Sequence, residues 1–240
     1  MDALIEIAIG LAIAVLLCAF AYHKHLMTAW ASVAAGIGSS IIVFCGGLCW
    51  EIGMLLFPVS AFISTKYRIS EKSSLGLQEG SSGERHLLNI IGVFMVPTII
   101  SVVFHATDTA DFELTMAYLS ALAVSTADTL SSELGVRDPK VYLITTGKPC
   151  ERGTNGGISK YGLIVSTIGA FIFALVAYVL LTKDFDIRFI IPFIAGVLGN
   201  LIDSVEGALF ENKGLMSKYS VNASSALIGA IIGFILALVF

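Results

Sequence analysis

Charged residues are scarce in this chain: they make up 13% of its 240 residues, whereas 56% are hydrophobic. A soluble globular protein carries roughly 25% charged residues, so the composition excludes an ordinary water-soluble domain. The formal net charge is only −4, and a balance this close to neutral argues against a nucleic-acid partner. We therefore expect a protein that is embedded in a membrane and binds no nucleic acid.

Cysteine is also scarce, with four residues, which are Cys18, Cys45, Cys49 and Cys150. Three of them lie in apolar stretches, where a thiol behaves as a small buried hydrophobic group. No Cys-x-x-Cys pair occurs, so neither a structural zinc site nor a disulfide framework is indicated. The N-terminus lacks a basic segment and a clear cleavage site, so we expect the first apolar stretch to be retained rather than cleaved.

Apolar windows of about twenty residues, the length that crosses a bilayer, recur from end to end. No polar segment between them is long enough for a second domain, so residues 1–240 are predicted to form one integral-membrane domain. The predicted fold is all-α, a polytopic transmembrane helical bundle of about eight spans. The predicted spans are 3–22, two within 28–65, 87–104, 113–135, 158–181, 188–209 and 221–240.

The apolar run 28–65 is too long for a single crossing. We predict that it breaks near Gly46 and Gly47, with a tight turn between two spans. A single crossing would give seven spans and would scatter the basic loops over both faces, and a re-entrant half-helix is a further alternative. Within the second of these spans lies Glu51, read either as an interfacial residue that reaches water or as a carboxylate facing the site.

Most Lys and Arg residues lie in polar loops near 65–86, 136–157 and 210–220. With an even number of spans these loops share one side, and such residues accumulate on the cytoplasmic side of a membrane. We therefore expect an integral protein of the cell membrane with both termini outside and its active site facing the cytoplasm.

Two predicted helix ends on that side carry carboxylates inside otherwise apolar spans. Asp128 and Ser132 are four residues apart and share one helix face, with Glu133 beside them. A carboxylate at membrane depth is costly, and it persists mainly where it lines a polar cavity or holds an ion. The pattern indicates a polar site, although Glu133 taken alone also fits a helix-end charge in water.

A second acidic stripe occurs late in the chain, where Asn200, Asp203 and Glu206 recur at helical spacing. Oxygen-rich clusters of this kind suit Mg²⁺, which binds one or two carboxylates together with substrate phosphates. We therefore predict Mg²⁺ as the cofactor. The predicted metal ligands are Asp128, Glu133, Asn200, Asp203 and Glu206.

The segment 153–157 is rich in glycine and precedes a predicted helix start at Ile158 and Ser159. Such a loop turns backbone N–H groups toward an anion at a helix N-terminus. It is not a Walker loop, because the Gly-Lys-Ser/Thr ending is absent. Together with Lys148 upstream it indicates a phosphate site, while a flexible connector with a solvated lysine is the plainer interpretation.

In this order the motifs resemble those of the integral-membrane family of plant phytyl-phosphate kinase and eukaryotic transmembrane protein 19. The resemblance extends over most of the chain from Gly83 onward, and the N-terminal third resembles the family only in hydropathy. The segments that carry it are TADTLSSELG at 126–135, ITT at 144–146 with Lys148, GTNGGIS at 153–159, LIDS at 201–204 with Gly207 and Ala208, and Asn222 with Ser224, Ser225 and Gly229.

The resemblance implies a CTP-dependent prenyl-phosphate kinase. Such an enzyme transfers the γ-phosphoryl of CTP to an isoprenyl monophosphate of phytyl or geranylgeranyl type, giving the diphosphate and CDP. The expected partners are CTP, the lipid substrate and membrane lipid, and the expected catalytic residues are Asp128, Asp203 and Lys148. The expected nucleotide and phosphate contacts are Arg85, Thr145, Thr146, Gly153, Thr154, Asn155, Gly156, Gly157, Ser159 and Asn222.

Other classes of protein fit the same residues. A membrane cytidylyltransferase would use the same metal and nucleotide, and would release pyrophosphate while making a CDP-lipid. A small-molecule or ion transporter also places acids and glycine-broken helices within the membrane. Both acidic stripes end on one predicted side, whereas an inverted repeat would place them on opposite sides. A phosphatase or a non-catalytic scaffold also remains open.

Overall fold

A computed structural model describes residues 3–74, 76, 83–107 and 111–240, so part of the predicted loop 65–86 lies outside the described residues. Helices dominate the described chain. They are α1 (Ala3–His23), α2 (Ala29–Gly46), α3 (Leu48–Lys66), the short α4 (Ile69–Ser74), α5 (Leu87–Ala106), α6 (Asp111–Gly135), α7 (Lys160–Thr182), α8 (Ile190–Leu209) and α9 (Lys218–Ala237).

Among the described residues, seven helices are long and apolar enough to cross a membrane, namely α1, α2, α3, α5, α7, α8 and α9. The remaining long helix, α6, has 25 residues and lies at the centre, where it packs against α3, α5, α7, α8 and α9. A helix surrounded by other helices needs no lipid-facing side chains, which explains its lower apolar content. The chain is an all-α polytopic membrane protein, and the predicted bundle is confirmed.

The apolar run 28–65 crosses the bundle twice, as predicted. Gly47 joins α2 to α3 with φ of +83°, a left-handed conformation that glycine adopts without strain. Both ends of the α2–α3 hairpin are hydrogen-bonded to Arg85. The backbone N–H of Thr28 donates to the Arg85 carbonyl at 3.0 Å, and the Arg85 guanidinium donates to the Thr65 hydroxyl at 2.9 Å.

The predicted polar loops come together at one end of the bundle. The Lys72 ammonium, which follows α3, donates to Glu133 at the end of α6. Beyond α8, the side-chain amide of Asn212 donates to the Asn155 carbonyl at 2.9 Å. These bonds gather the three loops into one polar layer, which we call the site end.

A short three-stranded antiparallel sheet lies in the connector between α6 and α7, and the sequence did not predict it. Its strands are β1 (Val141–Leu143), β2 (Pro149–Cys150) and β3 (Gly157–Ser159), in the order β2-β1-β3. The predicted helix start at Ile158 is therefore two residues early. Ser159 instead caps α7, and its hydroxyl accepts from the Gly162 N–H at 3.0 Å.

Close packing of small residues holds α6 against α8. A Cβ atom placed on Gly196 would lie 2.9 Å from the Ala123 Cβ, and one on Gly199 would overlap Val124. Small residues let the backbones of membrane helices approach closely. Val124 precedes Asp128 by one turn, as Gly199 precedes Asp203, so this contact sets the two predicted acids opposite each other.

Candidate functional site

A cavity of about 360 Å³ opens at the site end, where α6, α8, α9 and the connector meet. Its wall contains three of the predicted acids, the glycine segment and the start of α9. The predicted residues on this wall are Asp128, Glu133, Gly153, Thr154, Asn155, Gly156, Gly157, Ser159, Asp203 and Asn222. The fold thus brings most of the predicted site together from separate parts of the chain.

Asp128 and Asp203 face this cavity from neighbouring helices, and their charges act on each other. The Asp203 carboxylate also accepts a hydrogen bond from the Ser225 hydroxyl of α9 at 2.8 Å. Two close carboxylates repel unless a proton or a cation lies between them. This pair is therefore the chemically distinctive feature of the cavity.

The potential metal ligands on the cavity wall fit Mg²⁺. Asp128 and Asp203 offer carboxylate oxygens and Asn222 offers an amide oxygen, the ligand atoms that hard cations prefer. Within the described ranges, no three His, Cys, Asp or Glu side chains form a ready-made metal cluster.

Glu133 lies at the edge of the cavity, but its carboxylate is already neutralised. One oxygen accepts from the Lys72 ammonium at 2.7 Å. The other accepts from the Thr65 hydroxyl at 2.7 Å and the Arg85 guanidinium at 3.1 Å. Because two cations share this buried carboxylate, the geometry favours an anchoring role for Glu133 over the predicted metal ligation.

Asn200 and Glu206 flank Asp203 on α8 and do not lie on the cavity wall. The Asn200 amide donates to the Ser166 hydroxyl at 3.1 Å, and the Glu206 carboxylate accepts from the Ser224 hydroxyl at 2.8 Å. Glu206 still acts on Asp203 through its charge. These bonds tie α8, which carries Asp203, to α7 and α9, and they do not favour either residue as a direct ligand of a metal.

The glycine segment is fixed against α8. Gly156 has φ of +75°, and a Cβ atom there would lie 2.5 Å from both the Ser204 carbonyl oxygen and the Ala208 Cβ. Only glycine combines this conformation with so close an approach. The contact holds residues 153–157 along the cavity wall, where their backbone amides can meet an anion.

Thr145, Thr146 and Lys148 lie in the exposed turn between β1 and β2, and they are not on the cavity wall. The Leu143 N–H donates to the Lys148 carbonyl at 2.9 Å, which closes the turn. The structure thus does not bring these three side chains to the cavity. The phosphate contacts expected for them stay predictions.

A second recess, apolar along most of its length, lies between α1, α2, α3 and α5. We call it the apolar groove. Arg85 and Asn89 lie at its mouth, so the predicted phosphate contact Arg85 belongs to the groove rather than to the cavity. Groove and cavity meet at wall residues that they share, namely Asp128, Ser132, Glu133, Lys218 and Asn222.

Two lysines at the site were missed by the sequence reasoning. Lys218 begins α9 and lies on the walls of both the cavity and the groove. Lys72 is only 2% exposed, although it comes from a polar loop. Both were counted solely as signals of orientation. Lys218 could have been identified from its position at a serine-rich helix start, at the same membrane level as the acidic stripes.

The fold and the site define a polytopic α-helical membrane protein with an acidic, glycine-lined cavity at one end of its bundle. Comparison with family models leads to the same class. The chain belongs to the family described as Integral membrane protein DUF92, whose model matches residues 12–230.

Three relatives cover most of the chain. An uncharacterized membrane protein of Methanocaldococcus jannaschii is 29% identical over 98% of this chain and 96% of its own length. Protein PGR of Arabidopsis thaliana is 29% identical over 84% of this chain and 78% of its own length. Protein VTE6, chloroplastic, of the same plant is 27% identical over 75% of this chain and 56% of its own length. No solved structure matches.

The family resemblance identified from the motifs is confirmed by this membership and by the two plant relatives. The matched range includes both acidic stripes and the glycine segment, which are the parts of the chain that form the cavity.

Proposed function

We propose that this protein is a membrane kinase that transfers the γ-phosphoryl of CTP to an isoprenyl monophosphate, giving the prenyl diphosphate and CDP. One observation carries the proposal. A polar cavity with two facing carboxylates opens directly into an apolar groove between the helices, and the two share Asp128, Lys218 and Asn222. A substrate with a phosphate head and a hydrocarbon tail matches this junction.

The lipid substrate binds across the junction. Its tail lies in the apolar groove, where burial of hydrocarbon is favourable. Its phosphate lies between Arg85, at the groove mouth, and Lys218, at the start of α9. Charge-assisted hydrogen bonds from guanidinium and ammonium groups are the strong kind that phosphate attracts.

The nucleotide binds in the cavity. The backbone amides of residues 153–157 hold its phosphates, in the manner of other glycine-rich anion sites. Asp128 and Asp203 hold Mg²⁺, and Asn200 and Glu206 orient Asp203. When bound, Mg²⁺ neutralises charge on the phosphate oxygens. Thr145, Thr146 and Lys148 assist only when their turn closes toward the cavity.

The reaction needs positioning and charge neutralisation rather than a strong base. An oxygen of the prenyl phosphate is already ionised near neutral pH, and it attacks the γ-phosphorus of CTP in line. The bond from that phosphorus to the β–γ bridging oxygen breaks, and CDP leaves with the electron pair. The groove and the cavity contribute by aligning the two phosphates at Asp128.

We place the protein in the cell membrane with the site end toward the cytoplasm, where CTP is available. The Lys- and Arg-rich loops at the site end support this orientation. The expected orientation puts both termini on the other side.

The test is a transfer assay with purified protein in detergent, γ-labelled CTP, Mg²⁺ and geranylgeranyl monophosphate. We expect label in the prenyl diphosphate and CDP as the other product. Asp128→Asn and Asp203→Asn should each lower kcat by about 100-fold or more, since each removes charge stabilisation that is specific to the transition state. Asp184→Asn, an exposed acid beyond the far end of α7, is the matched control and should keep wild-type activity.

The other outcomes point to other functions. Release of pyrophosphate with a CDP-lipid would identify a cytidylyltransferase. A folded protein that turns over no combination of nucleotide and prenyl phosphate would contradict the kinase, and flux into vesicles would then be measured for the transporter alternative.

A further inference from the structure

The lipid-facing side of α7 leads directly to the three-stranded sheet. One stripe of this helix leaves its apolar side chains exposed, namely Ile164, Ile168, Phe171, Ile172 and Val176. These positions recur at helical spacing, so they share one face of the helix. Since α7 is long and apolar enough to cross a membrane, this face contacts hydrocarbon.

Tyr161 marks the end of this stripe nearest the site end. It lies three residues before Ile164 on the same helix face, and its side chain is 40% exposed. Tyrosine is enriched where the hydrocarbon of a bilayer meets the head groups, because its ring is apolar and its hydroxyl is polar. Because β3 ends at Ser159, two residues before Tyr161, the sheet lies at the level of the head groups.

The sheet has an inner face toward the cavity and an outer face away from it. Val141 and Gly157 belong to the inner face, since both line the cavity. Side chains alternate between the two faces along a strand, so Tyr142 belongs to the outer face, where it is 43% exposed. Pro149 and Ile158 lie directly opposite Tyr142 on β2 and β3 and share its face. The outer face thus presents an apolar patch at the level of the head groups.

Three exposed lysines surround this patch. Lys140 immediately precedes β1, Lys148 immediately precedes β2, and Lys160 immediately follows β3. Within the described ranges, none of the three ammonium groups forms an ion pair. Their charge is therefore available to an anion from outside the chain.

Acidic side chains do not cancel this positive charge. From residue 136 to residue 160 the chain has five basic and two acidic residues, a net charge of +3. One of the acids, Asp138, accepts hydrogen bonds from the backbone N–H groups of Lys140 at 3.0 Å and Tyr161 at 3.3 Å. The other, Glu151, is exposed in the turn after β2. Asp138 therefore joins the sheet to the start of α7 and leaves the lysine ammonium groups unpaired.

We propose that the outer face of the sheet, together with Tyr161, binds the head groups of anionic phospholipids in the surrounding membrane. The ring of Tyr142 lies between the head groups, and the three lysines contact lipid phosphates through charge-assisted hydrogen bonds. Basic residues at this level are attracted by an anionic leaflet, and the attraction is short-ranged. The proposal does not depend on the kinase reaction, since the inner face of the sheet, not the outer face, lines the cavity.

The first measurement is thermal unfolding of the detergent-purified protein with added dioleoyl phosphatidylglycerol or dioleoyl phosphatidylcholine, since a ligand that binds only the folded state raises Tm. The anionic lipid should raise Tm at lower concentration than the zwitterionic lipid. In the double variant Lys140→Gln with Lys160→Gln, the apparent affinity for phosphatidylglycerol should fall about tenfold. The double variant Lys140→Arg with Lys160→Arg keeps the charge and should keep the affinity.

A control separates this face from the net charge of the protein. Lys24→Gln with Lys213→Gln removes the same charge from two exposed lysines elsewhere at the site end. This variant should bind phosphatidylglycerol with an affinity near that of the wild-type protein.

The second measurement reports contact at the face itself. Tyr142→Trp adds a fluorophore to the two tryptophans of the chain. The variant and its parent are placed in nanodiscs whose lipids are brominated at the head-group end of the acyl chains, and bromine quenches indole fluorescence on contact. The added fluorescence should be quenched, and more strongly when the brominated lipid is phosphatidylglycerol than when it is phosphatidylcholine at the same content.

Three results would overturn the proposal. The first is equal affinity of the wild-type protein for the two lipids, and the second is an equal loss in the two glutamine pairs, which would assign the effect to net charge. The third is added fluorescence that brominated lipid does not quench, which would favour a second copy or a water-soluble partner on this face. None of these measurements uses nucleotide or prenyl phosphate, so failure of the kinase proposal would leave them unchanged.

Discussion

At the scale of single residues, the buried pairing of Glu133 with Lys72 and Arg85 has a large expected effect on stability. Lys72 and Glu133 are 2% and 7% exposed, and their charged atoms lie 2.7 Å apart. Burial of either charge alone is far more costly than burial of the pair. The network also joins the loop after α3 to the C-terminal end of α6.

Substitution of Glu133 by Leu should lower the free energy of unfolding by about 3–5 kcal/mol, because it leaves the Lys72 ammonium buried without its carboxylate. Thermal or denaturant unfolding in detergent measures this. Glu71→Gln is the control: its carboxylate is 42% exposed and lies 3.5 Å from Arg68, so it should cost less than about 1 kcal/mol. Equal losses in the two variants would show that the buried network contributes no more than a surface ion pair.

At the scale of elements, the connector between α6 and α7 determines whether the glycine segment faces the cavity. The three-stranded sheet ends in β3, and the segment 153–157 immediately before it packs on α8 through Gly156. A second glycine in the same connector, Gly147, also has a positive φ, of +66°. The two glycines differ in their surroundings, since nothing lies within 4 Å of a Cβ atom placed on Gly147.

Gly156→Ala should raise the KM for CTP at least about tenfold, because the added methyl group pushes the segment away from Ser204 and misplaces its amides. Gly147→Ala carries a similar backbone strain, of about 1–3 kcal/mol, without the collision. It should therefore lower stability but leave the KM for CTP near the wild-type value. Steady-state kinetics and thermal unfolding of both variants separate these effects, and a matching rise in KM for Gly147→Ala would contradict the role of the α8 contact.

At the scale of the whole molecule, the bundle has a site end rich in Lys and Arg and an opposite end with few of either. Cys150 lies in the sheet at the site end, whereas Cys49 lies at the opposite end, where the Lys183 ammonium donates to its sulfur at 3.1 Å. Both thiols are partly exposed. They are natural reporters of the two faces of the membrane.

If the site end faces the cytoplasm, a membrane-impermeant thiol reagent should label Cys150 in inverted vesicles and Cys49 in intact cells. The measurement uses two single-cysteine variants in which the other three cysteines are replaced by Ala. Labelling of both thiols after detergent treatment is the control for access. The reverse pattern would place the site on the outer face and contradict the proposed orientation.

Much of the architecture could be predicted because its causes are local. The break between α2 and α3 follows from paired glycines in a run too long for one span. Asp128 and Asp203 were found because an acid in an apolar helix is costly wherever that helix packs. The central position of α6 was harder to predict. The helix is less apolar than the other spans because other helices, not lipid, surround it.

Pairings between distant segments could not be predicted. Hydropathy showed that Glu133 ends a helix, but not that its partner Lys72 lies 61 residues earlier. The sequence indicates Lys148 because it is near the glycine segment, whereas the fold turns Lys148 outward and brings Lys218 to the junction of groove and cavity.

By itself, the sequence determined that this is a polytopic membrane protein with two acidic stripes level with its basic loops. Composition, span length and helical period are properties of contiguous residues, so they do not depend on the fold. The tertiary structure was needed to show that Glu133 binds two cations, that Lys218 lies on the cavity wall and that an apolar groove adjoins the cavity. Those facts depend on which helix surfaces touch, and close packing of side chains from distant segments sets that arrangement.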